Sequence, residues 1–142
     1  MITPIFGQTP RMSVQLNHTI VAARDREASA RFLVEMFGLG EPVPYGPFLV
    51  VEADNGVSLD FMDWGDQEIP GQHYAFLVSD EVFDDVYARI VERDLPHWAD
   101  PHGEHPGEIN HRDGGRGVYF SDPSGHWLEA LTVPYGGWPA TD

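Results

Sequence analysis

The feature that most constrains this chain is an internal repeat, in which one order of predicted elements occurs twice. Residues 14–23 and 72–80 are both dense in apolar side chains, and each segment carries a histidine. Both segments precede a stretch with the spacing of an amphipathic helix. The apolar faces are Ser29, Phe32, Leu33, Met36 and Phe37 in the first copy, and Phe83, Val86, Tyr87, Ile90 and Val91 in the second. Two or three segments typical of antiparallel strands follow each helix, so the sequence predicts two equivalent units.

The alignment of the two copies also relates four polar side chains. When His18 is placed over His73, Asp60 and Glu129 fall at matching positions in the final predicted strands. The second copy is longer because the polar segment 96–117 precedes its last strands. We therefore predict an α+β fold, with two repeated βαβββ modules that form a curved mixed sheet lining a cleft.

Length and composition predict a single domain. The chain has 142 residues, of which 42% are apolar, and this is enough for one core but too few for two domains of ordinary size. We expect an N-terminal extension at 1–13, a domain at 14–135 with modules of about 14–65 and 70–135, and a C-terminal tail at 136–142. Gly38 is expected to end the first helix, and the acidic run from Ser79 to start the second.

Net charge and the absence of lysine and cysteine exclude several kinds of partner and chemistry. The formal charge is -15, from 23 acidic and 8 basic residues, so phosphate backbones and anionic lipids would repel the chain. All the basic residues are arginines and there is no cysteine, which excludes Schiff-base and thiolate chemistry and disulfides. We expect no nucleic-acid or membrane partner. The N-terminus lacks the pattern of a signal peptide and no segment has the length of a membrane span, so we expect a cytoplasmic protein.

The four repeat-related side chains suggest a metal site. If the modules pair about a pseudo-twofold axis, His18, His73, Asp60 and Glu129 could surround one cleft. Imidazole and carboxylate groups are the ligands that borderline divalent ions prefer. Each histidine alone would more often be a core side chain, and Glu129 could face solvent. A buried, unpaired Glu129 would be costly, however, which favours the ligand interpretation. Asp60 fits an exposed position, or a role in supporting a metal ligand, about as well as it fits direct metal ligation.

Several motifs resemble the vicinal oxygen chelate superfamily, which includes glyoxalase I, the extradiol dioxygenases and the bleomycin-resistance proteins. The resemblance covers residues 14–135 and rests on "LNHTIV", "FLVEMFGLG", "QHYAFLV" and "YFSDPSGHWLEAL". It implies that His18, His73 and Glu129 bind a divalent metal ion. Glyoxalase I uses a fourth ligand, usually glutamate, where this chain has the shorter Asp60. The extradiol pattern of two histidines and one glutamate is intact.

The resemblance has further implications. It favours iron(II), with nickel, zinc or manganese as alternatives, and it implies a homodimer that acts on a small-molecule substrate. Whether one chain or two would supply the ligands is left open. A narrower similarity is to a subgroup of dioxygenase-like enzymes that includes the one acting late in chartreusin formation. It rests on "QHYAFLVSDEVFD" and "PGEINHRDGGRGVYF".

Other side chains are candidates for the chemistry around the metal. We expect His111 on the strand before a hairpin, where it could act as acid or base, and Tyr119 nearby. A phenolic or anionic oxygen could be bound by Arg112 and Arg116, although salt bridges or packing would also explain these residues. Phe61 and the tryptophans could line an aromatic pocket or simply form the core. His126, in the turn "DPSGH", is expected to have a structural role.

Three functions are consistent with these patterns. The first, which we favour, is a dioxygenase-like oxidoreductase acting on a small aromatic or vicinal-oxygen substrate. The second is a glyoxalase-type lyase or isomerase, for which Asp60 would have to ligate the metal. The third is a metal-free drug-binding protein of the bleomycin-resistance kind. The acidic charge would favour binding of a cationic drug, but the presence of all three metal ligands argues against this function.

Overall fold

The computed structural model describes residues 13–137. Its first half comprises β1 (His18–Ala23), α1 (Arg26–Phe37), β2 (Val43–Tyr45), β3 (Phe48–Glu52) and β4 (Ser58–Asp63). Its second half comprises β5 (His73–Leu77), α2 (Asp80–Glu92), β6 (His97–Trp98), β7 (Gly117–Ser121) and β8 (Trp127–Leu131). Short 3₁₀ turns lie at Arg112–Gly114 and Tyr135–Gly137. Within the described part of the chain, no helix has the length and apolarity needed to cross a membrane.

The two halves have the same topology, which confirms the predicted α+β repeat. One sheet has the strand order β1-β4-β3-β2 and the other has the order β5-β8-β7-β6. In each sheet the first pair is parallel and the other pairs are antiparallel. Each module therefore forms its own four-stranded mixed sheet, and its first and last strands lie side by side.

The helices begin and end largely where their sequence signals predict. The carboxylate of Asp25 accepts hydrogen bonds from two backbone amides in the first turn of α1, and Gly38 ends that helix with φ of 67°. Ser79 caps α2 through the backbone N–H of Val82. One position expected on the packed face of α2 is wrong. The buried residues of this helix are Phe83, Val86 and Ile90, whereas Val91 is 56% exposed.

The two modules share one hydrophobic core. Alternate strand residues face the helices, as the two-residue period of a strand requires. The ring of Phe37 in α1 lies 4.6 Å from that of Phe76 in the second sheet and 6.1 Å from that of Phe120. The helix of the first module thus packs on its own sheet and reaches the second sheet through its aromatic side chains, and within residues 13–137 neither α-helix covers the opposite face of a sheet.

Two sequence expectations about strands require correction. Residues 14–17 precede β1 rather than belonging to it, and they are exposed. His111 is not on a strand. Only Asn110 bridges to Gly117, and the chain then turns at Arg112–Gly114, where Asp113 has φ of 55°. A positive φ interrupts strand geometry, so the predicted hairpin is reduced to a single bridge.

Candidate active site

Glu129 lies at the centre of the polar cluster on the open face of the second sheet. Its neighbours Leu128 and Ala130 point into the core, so strand alternation directs Glu129 to the face without helices. The residue is nevertheless only 1% exposed, because surrounding side chains cover it. A buried carboxylate needs hydrogen-bond donors or a cation.

His73 is the first partner of this carboxylate. Strands β5 and β8 are paired in parallel, and in this register Glu129 lies opposite Ala75, two residues from His73. Residues two apart on a strand share a face, so both side chains meet above the sheet. The Nε2 atom of His73 lies 2.8 Å from Oε1 of Glu129. The predicted association of these two residues is thus present within one module.

Tyr135 is the second partner, and it connects Glu129 to a longer chain of hydrogen bonds. Its hydroxyl lies 2.6 Å from Oε1 and 2.8 Å from Oε2 of Glu129. The hydroxyl of Tyr119 lies 2.9 Å from that of Tyr135. Arg112 donates from Nη1 to Tyr119 over 2.9 Å, and from Nη2 to the carboxylate of Asp100 over 2.7 Å.

Burial, together with hydrogen bonding at Tyr135, keeps the phenols of Tyr135 and Tyr119 protonated. Burial raises the pKa of Tyr135 far above its ordinary value, and its hydrogen bonds to Glu129 and Tyr119 raise it further. Burial is also the main cause of the raised pKa of Tyr119. At the outer end, a hydrogen bond from His105 lowers the pKa of Asp100, and the same bond raises the pKa of His105. The two hydroxyls are therefore donors at neutral pH.

His18 and Asp60 lie on one face of the first sheet, each with a different hydrogen-bond partner. Ile20 is the register partner of Asp60, and His18 lies two residues before Ile20 on the same face. The imidazole of His18 is exposed and its Nδ1 lies 2.7 Å from Oδ1 of Asn17. Asp60 is 9% exposed and accepts a hydrogen bond from the hydroxyl of Ser58 over 2.8 Å.

The structure therefore places the predicted ligands in two groups, His73 with Glu129 and His18 with Asp60. Between residues 13 and 137, no three side chains of histidine, aspartate or glutamate come together in a way that could hold a metal ion. Each sheet carries half of the expected ligand set on its open face. The repeat predicted which residues are equivalent, but not that one chain would keep the two halves apart.

The remaining predicted site residues are divided between the site and the scaffold. Tyr119 and Arg112 belong to the cluster around Glu129, and His111 is exposed beside Arg112. Phe61 is 2% exposed and faces the core, since it is one residue from Asp60 and points the other way. Arg116 binds carboxylates at the start of α2 and lies over the ring of Phe83 at 4.5 Å. Neither of the last two residues is brought to Glu129.

A pair of tryptophans lies on the same side of the second sheet as Glu129. Trp127 is two residues before Glu129, and its ring centre lies 5.0 Å from that of Trp98 in an edge-on arrangement. Both side chains are partly exposed. Trp138, which was also a candidate for an aromatic pocket, lies outside the described residues. The open face of this sheet thus combines acidic, phenolic, cationic and aromatic groups.

Tyr135 is a residue of this site that no sequence pattern identified. It follows β8 and lies outside every motif that carries the repeat. The relevant signal was indirect, because a glutamate expected to be buried needs donors and a tyrosine occurs six residues later in the sequence. Only the turn after β8 shows that this tyrosine reaches back to Glu129.

The fold agrees with a known family. A family model described as "Glyoxalase/Bleomycin resistance protein/Dioxygenase superfamily" matches residues 15–130. The chain belongs to this superfamily. The match covers both sheets almost completely, so the family resemblance inferred from the sequence motifs is confirmed.

Three similar proteins show the range of the family. A solved structure named Oxidase ChaP-H1 is 63% identical, with a TM-score of 0.85, and the match covers 88% of this chain and 100% of that one. Oxidase ChaP-H2 is 61% identical with the same TM-score of 0.85, covering 89% of this chain and 99% of that one. Glutathione transferase FosA from Serratia marcescens is 31% identical over 125 residues, covering 83% of this chain and 80% of its own length. The narrower similarity to the chartreusin-pathway oxidases is confirmed as well.

Proposed function

We propose that this chain is a divalent-metal-dependent oxidoreductase of the dioxygenase-like type, acting on a small aromatic or vicinal-oxygen substrate. The observation that carries the proposal is the pair formed by His73 and Glu129, in which a carboxylate only 1% exposed faces the open side of the sheet. The 63% identity to a protein named as an oxidase supports the redox class.

The donor set fits a divalent ion. The imidazole nitrogen and carboxylate oxygen that lie 2.8 Å apart are both first-row metal ligands, and His73 and Glu129 would hold the ion together with His18. We favour iron(II), with nickel, zinc and manganese as alternatives. Such an ion, when bound, supplies open positions for vicinal oxygens of the substrate and for dioxygen.

We further propose that two copies of the chain complete each site. The support is that His18 and His73 lie on different sheets, and that each of their strands carries an exposed apolar side chain on the same face as the histidine. Ile20 is 50% exposed next to His18, and Leu77 is 57% exposed on the strand of His73. In a twofold dimer, the first sheet of one copy would face the second sheet of the other, forming two equivalent sites and covering both apolar side chains.

The other side chains of this face would handle the substrate. Arg112 presents N–H donors at this face, and these would orient a phenolic oxygen of the substrate, while the buried hydroxyl of Tyr119 holds the guanidinium in place. Trp98 and Trp127 would pack against a flat ring. His111, exposed beside Arg112, is the proposed acid or base. Closure by a second copy would exclude water from this face.

Metal content tests the proposal directly. Protein purified without a histidine tag or chelator should contain about one divalent ion per chain after anaerobic loading with iron(II). His73→Ala and Glu129→Gln should lose the ion, whereas His102→Ala, a change in an exposed loop histidine, should keep it. Equal metal content in wild type and His73→Ala would refute the assignment of the ligands.

Mixed variants test the sharing of each site between two chains. His18→Ala and His73→Ala should each fail to bind metal when pure. After the two are mixed and allowed to exchange subunits, half of the dimers would be mixed and each would contain one intact site, restoring about one quarter of the wild-type metal content. If mixing restores nothing while each variant remains dimeric, the two-chain site is wrong.

A second function is favoured by the 31% identity to glutathione transferase FosA. In that case the metal would act only as a Lewis acid, and the reaction would consume no dioxygen. Oxygen uptake measured with an electrode, using 2,3-dihydroxybiphenyl or a polycyclic quinol as the trial substrate, separates the two. Uptake that is lost in Glu129→Gln supports the oxidoreductase. Metal-dependent turnover of fosfomycin with glutathione and without uptake would support the transferase.

A further inference from the structure

We propose that Tyr135 is a positioning residue that holds the carboxylate of Glu129 ready for the metal ion, and that the segment 134–137 is the clamp that places it there. This inference rests on the proposed metal function and assigns a role to a part of the chain that the function did not need. The observation behind it is that the Tyr135 hydroxyl contacts both carboxylate oxygens of Glu129.

The carboxylate of Glu129 is held at both of its oxygens. An ionised carboxylate has about four acceptor positions, two on each oxygen. Oε1 of Glu129 is contacted by both His73 and Tyr135, whereas Oε2 is contacted by Tyr135. Tyr135 is thus the only one of these partners that touches both oxygens, and it fixes the rotation of the carboxylate about its last bond. One position on Oε2 is left for a further ligand.

The hydrogen bonds between Arg112 and Glu129 all run in one direction. A guanidinium can only donate, and an ionised carboxylate can only accept. Arg112 therefore donates to Tyr119, Tyr119 donates to Tyr135, and Tyr135 donates to Glu129. Both phenolic hydrogens have a single consistent orientation. Such a chain polarises along its length, so the last donor to Glu129 is strengthened by the charge at the other end.

The clamp is itself held by hydrogen bonds of its backbone. The backbone N–H of Gly136 donates to Oδ2 of Asp113 over 2.7 Å, and the N–H of Gly137 donates to the carbonyl of Pro134 over 2.7 Å. Asp113 is adjacent to Arg112 in the 3₁₀ turn. One turn therefore anchors both ends of the hydrogen-bond chain, through the side chain of Arg112 and through the backbone of the segment 134–137.

The consequence is a defined order of effects on metal affinity. Groups that orient a metal ligand typically change metal affinity by about 10- to 100-fold when they are removed. Tyr135→Phe should weaken binding by about that factor, because the ring is kept and only the hydroxyl is lost. Tyr119→Phe should weaken binding less, since Tyr135 would still donate to Glu129. Asp113→Ala should fall between wild type and Tyr135→Phe, because it loosens the clamp but leaves its hydroxyl.

The test is calorimetric titration of metal-free full-length protein with Zn²⁺, with His73→Ala defining the binding that belongs to this site. Tyr87→Phe is the matched control, since Tyr87 lies on the helix side of the second sheet and its ring packs against Phe83 and His97. The melting temperature of each metal-free variant is measured alongside. The expected result is a 10- to 100-fold weaker Zn²⁺ affinity in Tyr135→Phe, with Tyr87→Phe equal to wild type.

The other outcomes separate the clamp from the metal function. If Tyr135→Phe binds Zn²⁺ like wild type while His73→Ala does not bind it, the clamp is refuted and the metal site stands. If wild type and His73→Ala bind equally, the metal function fails and the clamp fails with it. If Tyr135→Phe does not fold, the decision passes to Asp113→Ala, whose wild-type affinity would overturn the proposal.

Discussion

The replacement His126→Leu tests whether one buried imidazole connects the two modules. His126 is 1% exposed and its Nδ1 accepts a hydrogen bond from the backbone N–H of Gln72 over 3.0 Å. Its Nε2 donates to the carbonyl of Ala22 over 2.7 Å. Ala22 lies on β1 and Gln72 directly precedes β5, and both strands are sheet edges. The imidazole therefore pairs backbone groups of two edges that belong to different sheets.

The magnitude follows from these two bonds. Leucine is similar in size to histidine but offers neither donor nor acceptor, so the amide of Gln72 and the carbonyl of Ala22 would both lose their partner. A buried polar group left without a partner costs about 1 to 3 kcal/mol, so the two groups together give a loss of about 2 to 6 kcal/mol. For a chain of this length, a loss of about 3 kcal/mol lowers the melting temperature by roughly 10 °C.

The assay is urea denaturation followed by circular dichroism, with wild type and variants at one protein concentration because dimerisation would contribute to stability. His102→Leu is the matched control, since His102 is an exposed histidine in the loop before β7. We expect the control to stay within about 0.5 kcal/mol of wild type. If His126→Leu is equally mild, the bridge between the two sheet edges does not stabilise the fold and the reasoning is wrong.

Three further predictions concern single side chains. Arg112→Gln should lower kcat/KM by about tenfold or more, because a hydrogen bond to a charged donor is lost. Arg116→Gln should change stability by less than about 1 kcal/mol and leave kcat/KM unchanged. Equal effects of the two substitutions on turnover would contradict the placement of the two arginines. The ion pair of His105 with Asp100 should stabilise the protein most between the ordinary pKa values of 3.8 and 6.5, because the raised pKa of His105 contributes below 6.5 and the lowered pKa of Asp100 contributes above 3.8. His105→Asn should lack this added stability, so the difference between its urea midpoint and that of wild type should be largest in this pH range. A series of urea midpoints from pH 4 to pH 9 would measure that difference. Gly117→Ala should destabilise the start of β7, since the added Cβ would lie 2.8 Å from the side-chain amide of Asn110. A melting temperature equal to that of wild type would contradict this close approach.

The sequence predicted the parts of the site that depend on local pattern. The repeat related His18 to His73 and Asp60 to Glu129, and it predicted a histidine on the first strand and a carboxylate on the last strand of each module. Pairing of the first and last strands of a module then brings them together. Arg112 and Tyr119 were selected from sequence proximity, and the structure places both in the cluster around Glu129.

Other residues could not be assigned because their roles depend on contacts between distant segments. The side chain of Phe61 points into the core, which the residue type alone does not reveal. Arg116 is close to Arg112 in sequence, yet it binds carboxylates on α2, more than thirty residues away. His111 was expected on a strand, but the positive φ of Asp113 two residues later turns the chain first.

The sequence by itself determined the repeat, the helices and the alternation of strand residues, because each depends on a period or a cap within a few residues. Tertiary structure alone decided that His18 and His73 lie on separate sheets, that His126 joins two sheet edges, and that Tyr135 reaches Glu129. These outcomes depend on how the two modules pack on a shared core and where the chain turns after β8. Such long-range contacts are set by the whole fold, so no local pattern encodes them.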